Sequence, residues 1–129
     1  MTPPEVSKLI VLAEHGKTRD MAIYAAACQK LEGIQAQIAA VNTDILQLHL
    51  SHDSDLNTVA RWQRWAEAEV KKMQSLQQSA AHEKEAARKV AVTSVAKVQA
   101  LEALLKKALK EYVLIKRRRA EQNGQPPDA

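Results

Sequence analysis

Several groups of side chains in the chain have the types and spacing to do chemistry. His49, His52 and Asp53 place three possible metal ligands within one short stretch. Zinc sites usually take four donors, and neither a cysteine nor a second histidine cluster supplies the rest, so the stretch reads as a solvated turn with no metal. Glu67/Glu69 and Glu83/Glu85 are pairs of carboxylates two residues apart. On a helix that spacing points them to different faces rather than into one site. There is no phosphate-cradling glycine loop and no nucleophile with an adjacent base. No catalytic residue, cofactor or enzymatic activity is expected.

The remaining groups are suited to binding. Trp62 and Trp65, in the run Arg61-Trp-Gln-Arg-Trp65, are the chain's two tryptophans. Three residues apart, they occupy neighbouring parts of one helical face, where they either pack in the core or anchor a partner. Lys116-Arg-Arg-Arg119 is the densest basic run and follows Lys106, Lys107 and Lys110. Such a run complements the negative end of a helix, or meets an acidic protein surface or phosphates. No aromatic residue is interleaved with it for base stacking.

The elements that position these residues are helical. The 129 residues include no Phe, two Trp, two Tyr and three Gly, and the four Pro lie at the two ends. Large aromatics usually supply much of a globular core, whereas Ala, Leu, Lys, Glu and Gln dominate coiled coils. Thr2, Pro3, Pro4 and Glu5 form a helix start, with a capping hydroxyl, prolines pre-set for the first turn and an acid at the positive end. A helix over about 4–50 follows. It either breaks at Gly16 with Thr18 capping a second helix or, as we favour, passes straight through. From Tyr24 the apolar residues Tyr24, Ala27, Leu31, Ile34, Ile38, Val41, Ile45 and Leu48 are spaced alternately by three and four, an unbroken heptad seam.

The polar cluster at 51–57 predicts a chain reversal, with Asn57 or Thr58 capping a second helix over about 58–122. Its stripe runs through Val59, Trp62, Ala66, Val70, Met73, Leu76 and Ala80, then an alanine-rich stretch (Ala86, Ala87, Ala91). It resumes at Val95, Val98, Leu101, Leu105, Ala108, Tyr112 and Ile115. The three-plus-three step from Val95 to Leu101 predicts a stammer and irregular packing there. The expected fold is therefore all-α: a single two-helix antiparallel coiled-coil hairpin with a longer second helix. That helix should overshoot the first from near Leu105 to Gln122, and residues 123–129 should form a disordered tail.

Charge divides between the two arms. Residues 1–57 hold four Lys/Arg and seven Asp/Glu, whereas residues 58–129 hold fifteen and eight. Part of this is attraction between the paired helices, and the remainder concentrates in the overshooting end. The lone Cys28 excludes an internal disulfide and suits a reducing compartment. The N-terminus has no basic region ahead of its short apolar run, and no stretch approaches the roughly 20 apolar residues that span a bilayer. The expectation is a cytoplasmic protein without direct membrane insertion.

The chain resembles the FliJ family, the central-stalk proteins of flagellar type III export, and its injectisome relatives. The resemblance rests on Leu9-Ile-Val-Leu-Ala-Glu14 followed by Asp20 and the alanine-rich run to Gln29 and Leu31. It rests more distinctively on Lys97-Val-Gln-Ala-Leu-Glu-Ala-Leu-Leu-Lys-Lys107 running into Arg117-Arg-Arg-Ala-Glu-Gln122. Together with the chain length, hairpin and tail it covers nearly the whole sequence. It implies an antiparallel coiled coil similar to the rotor stalk of F- and V-type ATPases. Such a stalk binds the hexameric export ATPase and the membrane-embedded export gate, and couples ATP hydrolysis to secretion while hydrolysing nothing itself. On that analogy Leu109, Tyr112, Lys116, Arg117, Arg118 and Arg119 face the ATPase ring, and Trp62 and Trp65 are the candidates for the gate. Export chaperones are further candidate partners, nucleic acid is not expected, and attachment to the inner membrane would be peripheral, through the export apparatus. The alternatives are a prefoldin-like chaperone or assembly scaffold and a basic nucleic-acid-binding hairpin.

Overall fold

The computed structural model describes residues 1–50 and 55–124. They form an all-α helical hairpin of two helices, α1 (Pro3–Leu50) and α2 (Leu56–Gln122), with no strand among the described residues. At about 1.5 Å per residue, 48 and 67 residues give about 72 Å and about 100 Å of helix.

Local chemistry accounts for the helix ends. Thr2 precedes Pro3 as the N-cap of α1: its carbonyl accepts from Val6 N at 3.1 Å, and its own N–H donates to Glu5 Oε2 at 3.1 Å. The second bond is the returning half of a capping box. The helix then passes unbroken through Gly16, beside which a side chain would meet nothing within 4 Å. The start of α2 differs from expectation. The cap is Asp55, whose carbonyl accepts from Val59 N at 2.9 Å and whose Oδ1 accepts from Asn57 N at 3.4 Å, so Asn57 and Thr58 lie inside the helix. An aspartate at that position satisfies an orphan amide and also meets the positive helix end with a full charge. The rest of the expected turn, 51–54, lies outside the described residues, as does most of the expected tail. At the other end Gly124 takes φ 68°, and its N–H donates to Glu121 O at 3.2 Å, closing the last turn.

Backbone contacts group the chain into two units, Met1–Asp20 with Val90–Ala129, and Met21–Lys89. In the first, α1 turns Val6, Ile10, Ala13, Lys17 and Asp20 inward, and α2 turns Ala91, Ser94, Val98, Leu101, Leu105 and Ala108 inward. Val6 and Val98 are fully covered. The helices run antiparallel here: Val6 shares a cleft with Leu104, Ala108 and Glu111, whereas Asp20 meets Ser94.

In the second unit every residue of the seam from Tyr24 to Leu48 is buried or half-buried, with Leu31 the most enclosed. Opposite lie Val59, Ala66, Val70, Met73, Gln77, Ala80, Lys84 and Ala87. Lys30 Nζ clips Glu83 Oε2 at 3.0 Å, and Tyr24, whose hydroxyl is pushed up chiefly by its hydrogen bond with Cys28, also lies within electrostatic range of Arg88 and Glu85, again an antiparallel order. The clip is exposed and contributes less than about 1 kcal/mol. Alanine at 66, 80 and 87 lets the backbones approach closely.

Two expectations about the α2 stripe are overturned. Leu76 and Trp62 are exposed, and the seam goes through Gln77 instead. At Val95 no slip is needed: Ser94 and Val95 are both half-buried, and through Ser94 the steps from Ala87 through Ala91, Val98 and Leu101 to Leu105 keep alternating four and three. A continuous heptad register outweighs the polarity of single residues, because shifting it would turn every later seam residue away from its partner. Lys84 is half-buried at a seam position, which a long side chain tolerates because its alkyl stem can be covered while the ammonium stays in water.

Candidate functional site

The second helix continues past the point where α1 can cover it. Leu105 and Ala108 are half-buried, so the overshoot starts about one turn later than near Leu105, the expected point. From Leu109 to Arg119 every residue is exposed. Tyr112 and Ile115, placed on the core stripe by their spacing, are 58% and 48% exposed because α1 begins at Pro3 and offers nothing opposite them.

This end has an unusual arrangement about its axis. Successive helical residues are about 100° apart, so any four in a row encircle the helix. Tyr112, Val113, Leu114 and Ile115 therefore form a continuous apolar collar, and Lys116, Arg117, Arg118 and Arg119 a cationic collar one turn further on. Lys106, Leu109, Lys110, Val113, Leu114 and Arg117 border one shallow groove along this surface. None of the seven cations from Lys106 to Arg119 forms an ion pair with another described residue. All six residues assigned to the ring contact, Leu109, Tyr112, Lys116, Arg117, Arg118 and Arg119, lie on this exposed end.

Trp62 and Trp65 belong to the other unit. Their ring centroids are 4.5 Å apart with planes tilted by 59°, a favourable edge-to-face-like contact, yet they remain 38% and 50% exposed. They cap no core.

The carboxylate pairs do not converge. Glu67 accepts from Gln63, Glu83 takes Lys30, and Glu85 takes Arg88 at 2.7 Å. The Arg88 guanidinium holds the Glu85 carboxyl below its ordinary value. No group of three His, Cys, Asp or Glu residues among the described residues could hold a metal. His52 and Asp53 lie outside them. Cys28 is a free, half-buried thiol.

One polar pair escaped the sequence reading. Asp20 is 7% exposed on the α1 seam, accepting a hydrogen bond from the Ser94 hydroxyl and pairing with Arg19 Nε at 3.2 Å. Stepping back from Tyr24 by fours and threes reaches 20, 17, 13, 10 and 6, which is the signal that would have found it. The Ser94 hydrogen bond, and after it Arg19, hold the Asp20 carboxyl below 3.8 against the opposing effect of burial. A carboxylate depressed in the folded state stabilises the fold above its unfolded value and loses that contribution as pH falls through the lower folded one. Acid titration of helicity is therefore expected to show a loss below pH 3.8 that Asp20→Asn makes smaller; equal acid sensitivity in the two proteins would refute it.

No helix among the described residues is long and apolar enough to cross a membrane. Comparison of the chain with protein-family models, curated proteins and solved structures gives no match.

Proposed function

We propose that the chain is a non-catalytic coiled-coil stalk of a flagellar or type III protein export apparatus. Its α2 end is received by a hexameric export ATPase, and it also contacts the export gate, coupling ATP hydrolysis to protein secretion. The observation that carries this reading is the pair of collars at Tyr112–Ile115 and Lys116–Arg119, exposed on every side of the helix. A flat partner would use one face of such a helix and leave the rest of the apolar collar in water. A partner that surrounds the helix buries all four apolar side chains and meets the cations with acidic groups on every side. The resemblance to export stalk proteins supplies the identity of a partner with that shape. The protein would act in the cytoplasm, peripheral to the inner membrane through the apparatus. Mixing the chain with the hexameric ATPase at low salt is expected to give a complex that weakens as salt rises; no complex at low salt would overturn the reading.

A further inference from the structure

Beyond the overhang, a second exposed surface surrounds Trp62 and Trp65, the residues that the resemblance gave to the export gate. On the outward side of α2 in the second unit, Arg61, Trp65 and Lys72 align at spacings of four and seven, flanked by Trp62 and Leu76. Trp62, Trp65 and Leu76 are all more than a third exposed. Arg61, Arg64, Lys71 and Lys72 form no ion pair with a described residue; Arg64 Nε reaches only its own helix, at Ala60 O, 3.4 Å away. The acids of this stretch are Glu67, which accepts from Gln63, and half-buried Glu69.

We infer that this face docks on an anionic lipid surface, with the indoles of Trp62 and Trp65 at headgroup depth and the basic side chains on phosphates. A helix–helix interface wants an apolar residue every three or four positions. Here, after Trp65, the next large apolar residue on the face is Leu76, three turns on, which is too sparse for a partner helix. Docking at a membrane surface needs no continuous stripe: amphipathic indole rings favour the headgroup region, and long basic side chains extend to phosphates from a shallowly placed helix. Unpaired guanidinium and ammonium groups beside the rings supply the complementary charge. No helix among the described residues is long and apolar enough to cross a membrane, and the contact inferred is adsorption at its surface. It is independent of the ATPase reading.

Because these are the chain's two tryptophans, tryptophan emission, excited selectively over the two tyrosines, reports on this face alone. Added phosphatidylcholine vesicles containing phosphatidylglycerol are expected to shift the emission of the full chain to the blue, with a smaller shift for phosphatidylcholine alone. In vesicle co-sedimentation Trp62→Ala/Trp65→Ala is expected to bind about tenfold more weakly. Arg61→Gln/Arg64→Gln should lose most of the preference for anionic vesicles. A variant with Lys116, Arg117, Arg118 and Arg119 changed to Gln should keep the blue shift. The inference is overturned by an unchanged emission with anionic vesicles, or by a blue shift that appears in concentrated protein without vesicles, which would mark self-association. Vesicle binding that survives the tryptophan substitutions and disappears with the overhang cations would also overturn it. ATPase binding is not measured in any of these arms, so failure here leaves the stalk reading untouched.

Discussion

Replacing Lys116, Arg117, Arg118 and Arg119 together by glutamine is expected to weaken binding to the hexameric export ATPase by about a hundredfold. If each screened contact supplies about 0.7 kcal/mol, four supply about 3 kcal/mol, which is two decades in affinity. The loss should fall partly on the association rate and shrink as salt is raised, since exposed cations steer encounter through a field that salt screens. The fold should be unaffected, because these side chains are exposed and form no ion pair with a described residue. Wild-type affinity in the fourfold variant, measured by titration calorimetry or fluorescence anisotropy, would show that the cations are only a solvated helix end.

The second large effect concerns the seam. Val92 and Val98 are alike in sequence and opposite in environment, 54% and 2% exposed. Val98→Asp places a carboxylate at a position only 2% exposed and should cost more than about 3 kcal/mol by chemical denaturation. Val92→Asp should stay within about 0.5 kcal/mol of wild type. Similar costs for the two would mean that the heptad register assigned to α2 is wrong.

How much of this was legible depended on which residues occupy the seam. Between Tyr24 and Leu48 every seam position is apolar, and spacing alone gave the register and the burial together. Elsewhere Lys17, Asp20, Gln77, Lys84 and Ser94 occupy seam positions. Their polarity hid a pattern that the backbone geometry maintains, because a hydropathy reading passes over a lysine whose stem is buried or an aspartate that a serine satisfies. Taking Leu76 for Gln77 misplaced the stripe by one residue, and counting Val95 without its equally half-buried neighbour Ser94 produced the expected stammer. Asp55 was passed over as the cap, since Asn57 and Thr58, two and three residues on, are also good capping residues. The exposed basic end was legible from the unequal lengths of the two helices. Its arrangement as two successive collars follows from four apolar residues preceding four basic ones, and it gains meaning only once α1 is seen to leave that end uncovered.

The surrounding of the α2 end by its partner is tested most directly by accessibility around the axis. In a Cys28→Ser background, single cysteines at positions 112, 113, 114 and 115 would be alkylated with and without the hexameric ATPase. Protection of all four is expected, because a ring leaves no side of the helix open. Protection of one or two neighbouring positions, or of none, would contradict it and return the basic end to a flat contact or to solvent.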